Sequence, residues 1–211
     1  MTIAIDCQTN SVVMDDVSWD YYSRTLEQFN PSRNVRITFD QGRMEIVTTS
    51  GLHERIKTVV ARLIEIYSLE ADVPAVGDGS FTLRREVLGK GLEPDECYYV
   101  QTPAPPALPG EFDLETYPPP DLAIEVEASV GSTPRQPIYA ALGVREVWRF
   151  DGRQVVVLHL GPDGRYAERP ASLAFPALPM DRFNEALRAA LDASQHEAFR
   201  AFRDWVRASR S

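Results

Sequence analysis

The residues that could do chemistry in this chain are acids set among apolar neighbours. The run Asp121-Leu-Ala-Ile-Glu-Val-Glu127 is apolar apart from its carboxylates. Side chains alternate across a strand, so Leu122, Ile124 and Val126 share one face and Ala123, Glu125 and Glu127 the other. Glu125 and Glu127 then project together, with about 7 Å between their Cα atoms. Crowding like charges costs free energy unless a cation neutralises them, and a hard divalent cation held by carboxylate oxygens does that. Asp95 stands at the mouth of a second short apolar strand, Cys97-Tyr-Tyr-Val100, behind Pro94, which fixes the approach and donates no hydrogen bond. Neighbouring strands presenting Asp95 and Glu125 at corresponding ends form a carboxylate pair. Such a pair can hold magnesium or manganese beside a phosphodiester, where the ion polarises phosphate and lowers the pKa of water. Each signal alone has a plainer reading: a Glu-x-Glu strand can be a solvated edge, and Pro-Asp is common loop punctuation. Their combination points to a metal site.

Composition narrows the partners. The chain has 211 residues, 44% hydrophobic and 25% charged, which predicts one large globular domain and excludes collagen, coiled coil and whole-chain disorder. Asp and Glu number 31 against 22 Lys and Arg, a net charge of −9. That excludes a generic DNA-coating protein and leaves room for a local basic groove. Lys57 and Lys90 are the only lysines, so a mechanism needing a catalytic lysine has two candidates. The two cysteines, Cys7 and Cys97, make neither a disulfide framework nor a zinc site and suit a reducing compartment. No apolar run is long enough to span a membrane, and residues 1–16 lack the pattern of a secretory signal. The expected location is cytoplasmic.

The elements that must position the acids follow from periodicity. Residues 1–16 read as a loose lead-in to a single domain over 17–211. Ser18 caps a predicted helix, Trp19 to Phe29. Val35, Ile37 and Phe39 form one strand of a hairpin that turns at Gln41-Gly42 and returns through Met44, Ile46 and Val47. The clearest helix is His53 to Leu69, with Ile56, Val59, Val60, Leu63, Ile64 and Tyr67 in one stripe. On that wheel His53 lies toward the sheet and Glu54 points away, three positions before Lys57. A strand is predicted near Phe81–Arg85, where the side chains of Arg84 and Arg85 oppose, and a turn at Gly89-Lys90-Gly91. Residues 101–120 are a proline-rich loop. Pro137 to Leu142 is a short helix ended by Gly143, and Val144–Phe150 and Gln154–Leu160 are strands joined at Asp151-Gly152. Met180 to Arg207 is helical with interruptions. The expected fold class is α/β or α+β, a central mixed β-sheet flanked by helices with an added N-terminal helix and hairpin.

Several segments resemble a known family. A Pro-Asp motif followed at a distance by Glu-x-(Lys or variant) is similar to the signature of the PD-(D/E)XK, restriction-endonuclease-like nucleases. Five segments look like the Uma-two family within that superfamily: Gly42-Arg-Met-Glu45, the helix start His53-Glu54, Leu92-Glu-Pro-Asp95, Pro120-Asp-Leu-Ala-Ile-Glu125, and Tyr139-Ala-Ala-Leu-Gly-Val-Arg-Glu-Val-Trp148. The last is the most specific, and the resemblance spans roughly residues 17–205. It implies a restriction-endonuclease-like core that hydrolyses nucleic acid, DNA rather than RNA, with Mg2+ or Mn2+ held by Asp95 and Glu125 and by the Val126 carbonyl. It also implies a homodimer, a form the superfamily often takes. Catalytic roles fall to Asp95, Glu125, Glu127 and His53, and nucleic-acid contacts to Arg135 and Arg84. The superfamily lysine corresponds to position 127, which is glutamate here. Glu127 offers no positive charge and would bind metal or accept a proton. Arg135 stands about where many relatives carry a basic residue, a good phosphate clamp and a poor proton carrier. The alternative is a degenerate nuclease fold that binds nucleic acid or protein without cleaving.

Overall fold

The alternations and stripes of the sequence become strands and helices arranged around two sheets. The computed structural model describes residues 2–6, 11–29, 35–106, 112–126 and 132–210. In chain order these hold β1 (Thr2–Asp6), β2 (Ser11–Asp15), α1 (Trp19–Phe29), β3 (Val35–Asp40), β4 (Arg43–Thr48), α2 (Gly51–Ala71), β5 (Val76–Gly77) and β6 (Leu83–Arg85). Then come β7 (Lys90–Leu92), β8 (Glu96–Tyr99), β9 (Phe112–Asp113), β10 (Leu122–Val126), α3 (Gln136–Leu142), β11 (Glu146–Phe150), β12 (Val155–Leu160), β13 (Tyr166–Arg169), α4 (Met180–Asp192) and α5 (Gln195–Ser209).

One sheet has the order β13-β12-β11-β10-β8-β5 and the other β1-β2-β4-β3-β7-β6-β9. The first is mixed: β10 runs parallel to β11 and antiparallel to β8. This is the α/β class that the sequence predicts.

Strand β10 sits between two apolar layers, and its alternation sorts its side chains between them. Leu122, Ile124 and Val126 pack with the stripe of α2 and with Trp148, Phe183, Leu187, Phe202 and Val206. Ala123 packs on the opposite side with Ile138, Tyr139 and Leu142 of α3 and with Leu83 and Leu92 of the second sheet. Burying each such side chain stabilises the fold by roughly 1.5–3 kcal/mol. Trp148 is fully buried, so truncating it to alanine costs roughly 3–5 kcal/mol. The second sheet is covered by α1, where Tyr22 and Leu26 meet Ile37, Phe39 and Met44. Tyr22 stacks on Phe39 at 4.7 Å between ring centroids. A Cβ at Gly91 of β7 would collide with the Tyr22 ring, so that close approach requires glycine.

Three features differ from the sequence reading. Within the expected loose lead-in, β1 and β2 form an antiparallel pair, and β2 pairs with β4. The β-branched Val12 and Val13 with Met14 favour an extended chain, and an existing hairpin edge gives them a ladder. The β3–β4 hairpin is not a small addition but the middle of a seven-stranded sheet. The expected turn at Gly89-Lys90-Gly91 narrows to Gly89, which takes a left-handed φ of 58°, while Lys90 and Gly91 pair with β3 and β6.

Candidate active site

The site forms where the two sheets meet α2. Ser50 caps α2, its Oγ accepting the His53 N–H at 3.2 Å, which fixes His53 in the first turn. The apolar stripe then turns His53 inward, where it is 5% exposed. On the sheet side, Ile124 of β10 lies opposite Glu96 of β8. Asp95 N–H donates to the Ile124 carbonyl at 3.1 Å, which extends the ladder by one residue and brings Asp95 beside Glu125.

Asp95 is 3% exposed and saturated with donors. His53 Nε2 lies 2.8 Å from Oδ1, the Val126 N–H donates to Oδ2 at 2.8 Å, and Arg36 Nε of β3 stands 3.5 Å from Oδ1. Burial alone would raise its pKa. The His53 hydrogen bond and charge, Arg135 and the Val126 amide outweigh burial and hold the carboxyl below its ordinary value. His53 Nδ1 is buried and makes no hydrogen bond among the described residues.

Glu125 has the opposite balance. Its Oε1 accepts from Arg135 Nη2 at 2.8 Å and from the Tyr139 hydroxyl in a short contact. Burial raises its pKa, the negative charge of Asp95 adds to the rise, and Arg135 and Tyr139 offset only part of it. Arg135 spans both sheets: Nη1 donates to Thr38 Oγ1 of β3 at 2.8 Å and Nη2 to the Glu93 carbonyl at 2.5 Å. Its guanidinium carbon also lies 5.9 Å from the Tyr139 ring centroid.

Two further acids complete the surroundings. Glu45 of β4 is 2% exposed. Its Oε1 accepts the Ser132 N–H at 2.7 Å and its Oε2 the Thr133 N–H at 2.9 Å. Burial works to raise its pKa, and these bonds reverse that and lower it. Glu93 is pushed up by burial and accepts the Ile37 N–H at 2.9 Å. The cleft, lined by Glu45, His53, Asp95, Glu125 and Arg135 among others, has a volume of about 50 Å³, room for a few water molecules.

The structure thus gathers His53, Asp95, Glu125 and Arg135 around one cleft. Glu127 lies outside the described residues. Arg84 sits on β6 and does not line the cleft; its carbonyl accepts the Leu114 N–H at 3.1 Å. Neither lysine lines the cleft: Lys57 pairs with Glu54 at 3.3 Å and Lys90 with Asp40. Sequence reasoning does not pick out Arg36, Thr38, Glu45 or Tyr139 as site residues. The available signals were a charged residue inside the apolar alternation of β3, an acid between Met44 and Ile46 in β4, and the tyrosine that opens the run ending at Trp148.

The fit of a metal ion can be judged from the donors. Among the described residues no group of three or more His, Cys, Asp or Glu side chains is placed to hold one. Magnesium commonly uses one or two carboxylates and takes its remaining ligands from water and phosphate. Asp95 and Glu125 match that smaller number, with the two Asp95 oxygens also accepting from His53 and the Val126 N–H and Glu125 Oε1 from Arg135.

The family profile Uma2, described as "Putative restriction endonuclease", matches residues 19–192. The chain belongs to the Uma2 family. Among solved structures it is similar to one described as a putative nuclease belonging to DUF820 from Anabaena variabilis ATCC 29413. That likeness is at 16% identity, covers 72% of this chain and 90% of that one, and has a TM-score of 0.48. No curated protein matches the chain. No helix among the described residues is long and apolar enough to cross a membrane.

Proposed function

We propose that this Uma2 protein is a metal-dependent endonuclease, with magnesium or manganese held by Asp95 and Glu125. The observation that carries the reading is the pairing of β8 with β10, extended by the Asp95 N–H to the Ile124 carbonyl, which sets buried Asp95 beside partly buried Glu125 in one cleft. The chemistry such an ion supplies when bound is polarisation of phosphate and acidification of a water. The protein's own residues do the rest. His53 and the Val126 N–H fix Asp95 in its ionised form. Glu125, its pKa raised by burial and by the charge of Asp95, is the carboxyl of the pair that more readily holds a proton. Arg36 and Arg135 place positive charge where a phosphate would gather negative charge. DNA is the favoured substrate.

A second reading, a nuclease fold that binds without cleaving, is favoured by one specific observation. Arg135, not lysine, sits on Glu125, and arginine holds charge without moving a proton. One experiment separates the two. Purified protein is incubated with plasmid DNA and with single- and double-stranded oligonucleotides of DNA and RNA, with manganese and with chelator. Manganese-dependent cleavage lost in Asp95→Asn supports the nuclease. Binding without cleavage of any of these substrates supports the second reading.

A further inference from the structure

The face of the molecule made by α2 and α5 carries a row of arginines on an otherwise acidic protein. On α5, Arg200, Arg203, Arg207 and Arg210 follow steps of three, four and three, so they share one side of the helix. Arg200, Arg207 and Arg210 are exposed and Arg203 partly so. They span about 15 Å at 1.5 Å per residue. On α2, Arg55 and Arg62 are two turns apart and both exposed.

The two sets meet. Arg62 Nη1 donates to Gln195 Oε1 at 3.4 Å, and its guanidinium carbon lies 6.0 Å from the Phe199 ring centroid. Arg207 pairs with Glu70 at 2.6 Å and Arg210 donates to the Glu70 carbonyl at 2.7 Å. The helices therefore lie side by side in the same direction, and Arg55 stands at the His53 end of α2, about 200° around the helix from it. Two acids touch it by ion pair among the described residues, Asp204 on Arg203 and Glu70 on Arg207. With Glu65 and Glu197 exposed on the same two helices, six arginines against four acids leave a surplus of two positive charges on a chain of net charge −9. Exposed pairs of this kind are worth little and exchange readily.

We propose that this row is a track for the sugar-phosphate backbone of double-stranded DNA along α2 and α5, outside the cleft. It rests on the reading that the substrate is nucleic acid, and it assigns a surface that the cleft itself does not include. Charge complementarity selects the partner. A polyanion is repelled by most of this protein's surface, and here it meets a linear row of planar forks suited to phosphate oxygens. The 15 Å of α5 matches the axial rise of four to five nucleotides of one strand, at about 3.4 Å each.

The test uses the full chain, a fluorescent 25-base-pair DNA duplex and chelator, with affinity followed by anisotropy from 50 to 300 mM salt. The triple variant Arg55→Gln/Arg200→Gln/Arg203→Gln leaves Arg62, Arg207 and Arg210 to hold α5 against α2. Each lost phosphate contact lowers the slope of log affinity against log salt by about 0.9, so the triple variant should flatten it by about 2.7 and bind more weakly, with an unchanged melting temperature. Equal affinity and slope for variant and wild type overturn the track. So does a wild type that ignores the duplex at 50 mM salt, or one that binds only vesicles containing anionic phospholipid. Cleavage is measured separately with manganese. Binding through the row without cleavage overturns the nuclease and leaves the track standing, whereas cleavage with an unaltered triple variant overturns the track alone.

Discussion

Replacing Arg135 by methionine tests the electrostatic account of the cleft most directly. The side chain makes hydrogen bonds to Glu125, Thr38 and the Glu93 carbonyl, and methionine keeps most of its length with none of its charge. Removing one partner of a buried ion pair costs roughly 3–5 kcal/mol, because the other charge is left uncompensated. The Arg135 side chain is 25% exposed and that of Glu125 13%, so solvent screens the pair and the lower figure applies, about 3 kcal/mol. For a chain of this size that is a fall of roughly 6–12 °C in melting temperature. The loss should depend on pH. Glu125 already has a raised pKa from burial and from Asp95, and losing Arg135 raises it further. A carboxyl with a raised folded pKa gives stability that is present below its unfolded pKa and lost as pH rises through the folded value. The deficit of Arg135→Met should therefore be smallest near pH 4, close to the ordinary glutamate value of about 4.3, and grow toward pH 8. Adding Glu125→Gln removes the orphaned charge and should restore part of the loss. Urea melts of the four proteins of this cycle at pH 4 and pH 8 decide the matter. An equal deficit at both pH values, with no recovery in the double variant, would refute the reasoning.

Magnesium or manganese at a hundred times its Kd should stabilise the protein by about 2.7 kcal/mol, some 5–11 °C in melting temperature. Asp95→Ala should abolish the shift, and an identical shift in that variant removes Asp95 from the site. Glu45 has its carboxyl lowered by two backbone N–H groups, so it contributes stability present above the ordinary carboxylate pKa and lost as pH falls through the folded one. Glu45→Gln should then cost about 1.5–3 kcal/mol at pH 7 and less at pH 3; equal losses in denaturant melts would contradict the assignment. Glu127→Lys should lower both manganese affinity and any cleavage, because the alternation read from the sequence run Asp121 to Glu127 sets position 127 on the face of Glu125. Higher activity with unchanged affinity would sink a ligand or base role for Glu127.

Elements were more legible in the sequence than the contacts between them. The stripe from Ile56 to Tyr67 gives α2 and the inward turn of His53 without reference to anything distant. The alternation of Leu122 to Val126 sorts that strand correctly between its two apolar layers. The partners of the acids were not legible in the same way. Thr38 and Arg135 are 97 residues apart in the chain, and Ser132 lies 87 residues from Glu45. Periodicity reaches along one helix or strand and says nothing about which sheet edge meets which helix start. Glu45 shows the cost: nothing between Met44 and Ile46 announces that the N–H groups of Ser132 and Thr133 bond to it. The sequence reads the hairpin as an addition because nothing local reveals that β2 and β7 pair on either side of it.

The pattern of shifts within the cleft carries a last consequence. Asp95 and Glu125 sit side by side, yet Asp95 is held ionised while Glu125 is pushed toward its neutral form. Environments that drive neighbouring carboxyls apart divide their labour. Asp95 is held ionised by His53 and the Val126 N–H, and a cation must share its oxygens with those donors. Glu125 must first be drawn from Arg135 and Tyr139, so it responds to whatever enters the cleft. A lysine beside Glu125 could yield a proton as its surroundings changed, whereas arginine stays charged. Arginine at position 135 therefore cannot relay a proton to or from Glu125, and the proposed nuclease stands or falls on whether Glu125 can leave its guanidinium partner.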